Sequence, residues 1–315
     1  MDARLLPDFK VLSFPIEGND VDDEKLSSPF DDPISLQVSS SWSYCGPLLS
    51  VSPDLLPPSF HDWVNSTVNG PLNEPFISFL EFVHEFMEVN QVSHYWITVR
   101  ATQGTHEFDI PRWHTDDLFF SPRPPQRRRL SILTLPAAIT LNQQTSSRRQ
   151  RAYRRCPSTI QNTATTSSSQ VTSTHPNPTN WKLSTTLLGP GTLFISHKKS
   201  PLARQIEHDV KRAIRDSSPA HICGSVRCVG CATTAESVRT RLADALGRYE
   251  IVQPRRGQCA FFKVGQDQGA VHSEPMCHGD RIFVNVVPGH EADLKNLMAK
   301  WGMEYPRAWC VGLPT

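Results

Sequence analysis

His114 and Asp116 stand two residues apart in the run Pro111-Arg112-Trp113-His114-Thr115-Asp116-Asp117, just after a strand-like stretch, Tyr95-Trp96-Ile97-Thr98-Val99. In an extended chain residues i and i+2 face the same side, so an imidazole and a carboxylate would enter one space. That pair suits a divalent metal of intermediate hardness. His272 is the natural third donor. It ends the run Gly269-Ala270-Val271-His272, whose small residues permit close approach of backbone and ligand. Two His and one carboxylate on one face of a metal, with other positions open, form the donor set of non-haem Fe(II) oxygenases. Arg281 follows His272 by nine residues and opens another strand-like run, Arg281–Val287. A planar guanidinium facing a cavity would fork onto a carboxylate, such as the distal carboxylate of a 2-oxo acid whose other end chelates the iron. Blander readings compete: a solvated loop at Asp116-Asp117, a satisfied histidine at 272, and a salt bridge from Arg281 to Asp280.

The elements that would hold these residues can be read from periodicity. Phe76, Phe79, Leu80, Val83, Phe86 and Met87 recur at helical spacing, with Asn73 and Pro75 at the start. This helix should lay its apolar face on a sheet. Lys182–Leu188 and Thr192–Ser196 read as strands joined by a tight turn at Gly189-Pro190-Gly191. Two helices follow. Leu202, Ile206, Val210 and Ile214 stripe the first. The second is predicted to start at a capping box, Thr233-x-x-Glu236, with Val238, Leu242, Ala245 and Leu246 as its stripe and Gly247 as its stop. Tyr249–Val252, Cys259–Val264 and Arg281–Val287 are strand-like, and Leu294, Leu297, Met298 and Trp301 mark a terminal helix. Roughly seven or eight short strands joined by turns and irregular loops favour an antiparallel sandwich or small barrel over a doubly wound sheet. The expected class is mainly β with flanking helices, α+β.

Taken together, His114-x-Asp116, the turn Gly189-Pro190-Gly191-Thr192, the apolar run Ala260–Val264 leading to His272, and the Arg281-led strand resemble the Fe(II)/2-oxoglutarate-dependent dioxygenase superfamily. Their finer texture is similar to an uncharacterised family within it, known only as a domain of unknown function. The resemblance covers roughly residues 75–290 outside the insertions. It implies a double-stranded β-helix (jelly roll), with His114, Asp116 and His272 holding Fe(II) and Arg281 anchoring 2-oxoglutarate. The implied reaction is oxidation of a C–H bond in a substrate that the loops do not name. The departure from a compact member is the 158-residue separation of His114 and His272, which the insertions account for.

Composition marks those insertions. The apolar fraction is 38% and there are 26 prolines, so part of the chain is expected not to pack. Residues 1–60 carry 10 acidic and 3 basic side chains, whereas no acidic residue occurs from Leu118 to Ile206. Residues 1–70 read as an extended, partly disordered lead-in. Residues 71–315 read as one jelly-roll domain, interrupted by a low-complexity insertion at 121–180 and a helical, Cys-rich insertion at 198–248. In the former, Arg127-Arg128-Arg129, Arg148-Arg149 and Arg154-Arg155 precede a stretch, Pro157–Asn180, in which 12 of 24 residues are Ser or Thr. Such a stretch cannot offset its ordering entropy. It has the character of a dispensable segment, although Leu130–Leu135 could form a strand.

The net charge of +1 implies no bulk attraction to nucleic acid or membrane. No apolar run approaches the ~18 residues of a membrane span. Eight Cys without a secretory leader are expected to be reduced thiols in a cytoplasmic or nuclear protein. His221, Cys223, Cys228 and Cys231 have ligand types for zinc, but all four lie within 11 residues, which makes a tetrahedral site awkward; a redox pair or free thiols are the alternatives. Two readings from other classes stand beside the oxygenase. One is a jelly roll without catalysis, serving as a metal-binding or protein-interaction module. The other is a zinc knuckle at 221–231 with the Arg-rich segment as a nucleic-acid tether.

Overall fold

The computed structural model describes residues 8–15, 33–120, 180–217, 229–246, 250–265 and 267–313. The chain divides into two units, Met1–Ser121 with His175–Thr315, and Pro122–Thr174; the described residues all belong to the first. The insertion at 121–179, with its Arg clusters and the strand expected at Leu130–Leu135, lies outside them.

The described elements in chain order are β1 (Phe9–Ser13), β2 (Ser35–Leu36), β3 (Ser40–Pro47), α1 (Pro58–Thr67), β4 (Val68–Asn69), α2 (Asn73–Val89), β5 (His94–Thr102), β6 (Trp181–Leu188), β7 (Leu193–Ile195), α3 (Ser200–Ser217), α4 (Val229–Leu246), β8 (Ile251–Val252), β9 (Gln258–Lys263), β10 (His272–Ser273), β11 (Arg281–Gly289), α5 (Glu291–Lys300) and β12 (Arg307–Val311). Seven of the strands form one sheet in the order β1-β9-β6-β11-β5-β3-β12, and every pairing in it is antiparallel. A three-stranded sheet, β10-β7-β8, and a two-stranded one, β2-β4, complete the set. The fold is therefore mainly β with several helices, as the strand count predicts.

Period-2 alternation divides the large sheet into two faces. Tyr95, Ile97, Val99 and Ala101 of β5 and Ile282, Val284 and Val286 of β11 are buried in the principal core with Phe76, Phe79, Leu80, Val83 and Met87 of α2. The helix is amphipathic at the predicted positions, so its apolar stripe meets the alternate strand residues. Fully burying one such side chain stabilises by about 1.5–3 kcal/mol. The opposite face of the sheet carries Trp96 and Thr98 of β5 and Asn285 and Val287 of β11, which line a cavity. That face positions the site.

Phe9, Ala260 and Phe262 of the large sheet pack with Phe194 of β7, joining the large sheet to the small one. The small sheet in turn packs on α3 and α4: Ile195, Val271 and Trp113 are buried with Ala203, Val238, Leu242 and Leu246. Consecutive segments enter the two sheets in the order β5 large, His114 small by a single bridge to His272, β6 large, β7 and β8 small, β9 large, β10 small, β11 large.

Several expectations need correction. The composition predicts a lead-in over 1–70, yet residues 33–70 form β2, β3, α1 and β4, with β3 between β5 and β12 in the large sheet. The serines that make this stretch look solvent-bound are paired inside it. Ser40 bonds Thr67 and the Trp63 indole, and Ser43 bonds Thr98. Gly189-Pro190-Gly191 does not join a hairpin; it carries the chain from the large sheet to the small one. A Cβ on Gly189 (φ 77°) would lie 2.5 Å from the Asp280 carbonyl oxygen, so a side chain there is excluded by both conformation and space. On α3, Ile206 and Val210 pack against the helical core as expected, but Leu202 is exposed while Ala203 and Glu207 are buried. The capping box fails: α4 starts at Val229, and the Thr233 hydroxyl donates back to the Val229 carbonyl within the helix. Gly247 lies outside the described residues. On α5 Leu294, Leu297 and Met298 are buried, but Trp301 is 53% exposed. Among the described residues no helix is long and apolar enough to cross a membrane.

Candidate metal centre

The segment 113–116 alternates. Trp113 is buried against α3, α4 and Ile195. The Thr115 hydroxyl donates to both carboxylate oxygens of the buried Glu207 on α3, at 3.3 and 3.2 Å. With 113 and 115 committed to the helices, 114 and 116 point the other way. His114 is fixed opposite His272 by reciprocal backbone hydrogen bonds of 3.0 Å each. The Asp116 carbonyl accepts from the Gly265 N–H at 2.7 Å, and the Arg112 N–H donates to Ser273 Oγ at 2.7 Å. Main-chain bonds on both sides therefore set the three side chains. One ligand atom from each of His114, Asp116 and His272 lies within 4.8 Å of the others.

Ring orientation matters more than proximity. His114 Nδ1 lies 2.8 Å from the Arg112 carbonyl oxygen, and His272 Nδ1 lies 3.0 Å from that of Ala270. A carbonyl can only accept, so Nδ1 of each ring carries the proton, and in the neutral form of a ring so held the lone pair is on Nε2. Metal-ligating histidines are held in this way, with the outer nitrogen donating and the inner one free. The rings stand 4.4 Å apart between centroids, and His272 is further packed by Phe194 and Phe262.

Electrostatics agree with a cation-binding role. Burial pushes the His272 pKa down to about 4, against an opposing pull from Asp116, so the ring is neutral and able to ligate at neutral pH. Burial alone would raise the Asp116 carboxyl, but Lys182, His272 and His114 together bring it well below the usual carboxylate range. Lys182 Nζ lies 2.9 Å from Asp116 Oδ2, while His272 Nε2 lies 3.8 Å from the same oxygen. Glu274 also belongs to this neighbourhood. Its burial acts upward, yet His114, its own backbone N–H and Arg100 bring it net below its ordinary value.

The cavity on the open face of the large sheet has a volume of about 610 Å³. Its walls include Trp96, Leu118, Phe119 and Trp301, with Thr98, Asn285 and Lys182 as polar points. Lys182 both lines it and pairs with Asp116; Asp117, the next residue, lines it too, while His114, Asp116 and His272 do not. Arg281 is not part of this lining; Asn285 and Val287 of the same strand are. Arg281 is buried at the head of β11, with Nε donating to the Pro190 carbonyl at 2.9 Å and Nη2 to the Thr192 hydroxyl at 3.3 Å. Its guanidinium lies 4.7 Å from the centre of the Phe283 ring. Among the described residues no carboxylate is within ion-pair distance of it. The competing salt bridge to Asp280 is absent: that carboxylate accepts instead from the Leu36 N–H. Burial, then repulsion from Arg100, pushes the Arg281 pKa down to about 10. A buried guanidinium with neutral partners is a favourable place for an incoming anion.

The four predicted residues thus divide into a converged triad, His114, Asp116 and His272, and a separate buried cation, Arg281. Of the zinc alternative, Cys231 lies exposed near the start of α4, and His221, Cys223 and Cys228 lie outside the described residues. Sequence reasoning missed Lys182, Glu207 and Glu274. Lys182 carried one signal, as the single charged residue of the strand Trp181–Leu188. The other two carried none, since their roles depend on contacts across the fold. No family model, curated protein or solved structure matches the chain.

Proposed function

We propose that the protein is an Fe(II)- and 2-oxoglutarate-dependent oxygenase-like protein built on a double-stranded β-helix, with His114, Asp116 and His272 as iron ligands. The observation that carries this reading is the preset pair of imidazoles, each tied through Nδ1 to a main-chain carbonyl, with Asp116 within reach of both. Two further observations support it. The order β5-β11-β6-β9 faces the order His114-β10-β7-β8, and the chain passes back and forth between them except at β7 and β8, which pair with each other in the small sheet; this path fits a jelly roll. Arg281, buried and with no carboxylate in ion-pair distance among the described residues, is the anchor for the distal carboxylate of 2-oxoglutarate.

The donor set fits the metal: two imidazole nitrogens and a carboxylate leave coordination positions open. Bound iron with 2-oxoglutarate supplies the activation of O₂ for oxidising a C–H bond. The chain's own residues do the rest. The Arg112 and Ala270 carbonyls hold protons on Nδ1, away from the metal side. Glu207 fixes Thr115 and so the direction of its two neighbours. Trp96, Leu118, Phe119 and Trp301 give an apolar wall to the cavity, which is the place for the substrate.

Anaerobic titration of the purified protein with Fe(II) and 2-oxoglutarate tests this reading. The expected result is the weak visible charge-transfer band of the chelate, lost in His272→Ala. With O₂, 2-oxoglutarate should be converted to succinate. Arg281→Ala should raise the 2-oxoglutarate requirement without removing metal binding. The second reading, the same fold without catalysis, also has an observation of its own: Lys182 already neutralises Asp116 at 2.9 Å. A folded protein that gives no band and no succinate supports that reading instead.

A further inference from the structure

A second set of metal-ligating side chains lies outside the buried triad. His106 and Asp109 belong to the loop after β5, and His278 to the loop before β11. His106 Nδ1 lies 2.9 Å from Asp109 Oδ2, and His278 Nε2 lies 2.7 Å from Asp109 Oδ1. The two rings are 4.7 Å apart between centroids. One ligand atom from each residue falls within 4.8 Å of the others. All three side chains are exposed, at 82%, 43% and 56% for His106, Asp109 and His278.

The backbone holds the two loops together independently of these side chains. Thr105 and Cys277 form a bridge, with the Thr105 N–H donating to the Cys277 carbonyl at 2.6 Å. The Cys277 thiol donates to the Gly279 carbonyl at 3.2 Å. A Cβ on Gly104 would lie 2.4 Å from the His278 carbonyl oxygen, so the approach of the loops requires glycine there. The Asp109 N–H closes onto the His106 carbonyl at 3.3 Å, which brings the carboxylate back beneath the rings. The donors are thus gathered from two distant parts of the chain by main-chain contacts.

We propose that His106, Asp109 and His278 form a second, solvent-facing divalent-cation site of zinc type, distinct from the buried triad. Two imidazoles and a carboxylate suit zinc with a water completing the shell. Magnesium and calcium prefer an all-oxygen shell, and the order of affinities among divalent ions favours zinc over iron or manganese at such donors. A cation here staples the loop leading to His114 to the loop between His272 and Arg281. It therefore acts on the segments that carry the buried ligands without sharing a ligand with them.

The test is a Co²⁺ titration of the full-length protein, followed by visible absorption and by Zn²⁺ competition. In the variant His114→Ala/His272→Ala one nitrogen- and oxygen-ligated Co²⁺ site should remain, displaceable by Zn²⁺. Adding His106→Ala and His278→Ala should remove it, and Asp109→Asn should weaken it. Where the triad variant does not fold, His278→Ala in the otherwise native chain should lower the Co²⁺ stoichiometry by one. Co²⁺ binding unchanged by His106→Ala and His278→Ala overturns the proposal. So does a sulfur-to-cobalt charge-transfer band as the remaining signal, because the cysteines would then hold the ion. Failure here leaves the buried triad untouched, since the Fe(II) and 2-oxoglutarate titration reads that site alone.

Discussion

The buried and exposed His-Asp-His clusters have the same composition and are carried by neighbouring segments, but their surroundings differ. In the buried one, each ring nitrogen that faces outward is tied to a main-chain carbonyl, at 2.8 and 3.0 Å. The lone pairs are thereby aimed at the space between the rings. In the exposed one, the ring nitrogens point straight at the two oxygens of Asp109. A proton or a cation can hold that arrangement equally well. His272 has a side chain 8% exposed, against 82% for His106, and its burial pushes its pKa down. The comparison teaches that donor type is shared, whereas tautomer, burial and countercharge decide what a cluster can do.

The largest separation between the clusters should come from Lys182. In the buried cluster Asp116 is neutralised by an ammonium whose side chain is 14% exposed. Lys182→Met keeps the length and removes the charge, leaving a buried carboxylate unpaired. The metal-free protein in EDTA should lose about 3–5 kcal/mol of stability in a urea titration. Saturating Co²⁺ should restore part of that loss in the oxygenase reading, because the ion takes over the countercharge. A loss well under 1 kcal/mol, with no restoration, would mean that Asp116 is solvated and the triad is not a closed site.

The different surroundings also explain what was legible in the sequence. His114-x-Asp116 and His272 could be found because ligand types recur at spacings with a geometric meaning. The α2 stripe and strands β5, β9 and β11 were legible because one period dominates each. The strand β3 was not, since Ser40 and Ser43 are buried with paired hydroxyls and break the expected alternation of polar and apolar residues. Lys182 and Glu207 were not, because each matters through a partner 66 or 92 residues away. The cluster His106, Asp109 and His278 was missed for the same reason, its last member lying 169 residues from Asp109. Arg281 was found by type and position, yet its partners, Pro190 and Thr192, come from a turn that the sequence presented as a hairpin.

Acid should affect the buried cluster next most strongly. The ordinary value for His is 6.5, and in the fold His272 is pushed down to about 4. Between these values the unfolded chain takes up a proton that the folded chain refuses. Stability from this group is therefore full above pH 6.5, falls as pH drops toward 4, and is then lost. The loss amounts to about 3 kcal/mol. Asp116, held below its ordinary 3.8, adds a further loss only at lower pH. Urea midpoints of the metal-free protein between pH 7 and 4, compared with those of His272→Gln, isolate the effect. The same slope in both proteins would show that His272 is accessible to protons in the fold.

A smaller effect is expected from Thr115→Val, which removes the hydroxyl that ties the ligand segment to Glu207. Glu207 keeps the Lys211 ammonium at 2.7 Å, so no buried acid is left unpaired and the stability loss should be about 1 kcal/mol. The readout specific to positioning is metal affinity: Fe(II) or Co²⁺ binding at the buried triad should weaken by about tenfold, as for other groups that orient ligands. A stability loss with unchanged affinity would assign Thr115 to packing alone.

The smallest effect belongs to the exposed cluster without metal. Asp109 accepts from both His278 and His106, and these hydrogen bonds lower its pKa. Exposed charge pairs of this kind contribute little once solvent and salt screen them. The loops are already joined by the Thr105–Cys277 bridge. Asp109→Asn in EDTA should therefore leave the urea midpoint at neutral pH where it is in the native protein. With Zn²⁺ present, the native protein should gain stability from this site that the variant lacks, by the mass action of an ion that binds only the folded state. The difference between the two proteins should thus appear on adding zinc and vanish on chelation. A difference that persists in EDTA would make the cluster a structural staple held by protons, and the contrast with the buried triad would then lie in accessibility rather than in which ion each one holds.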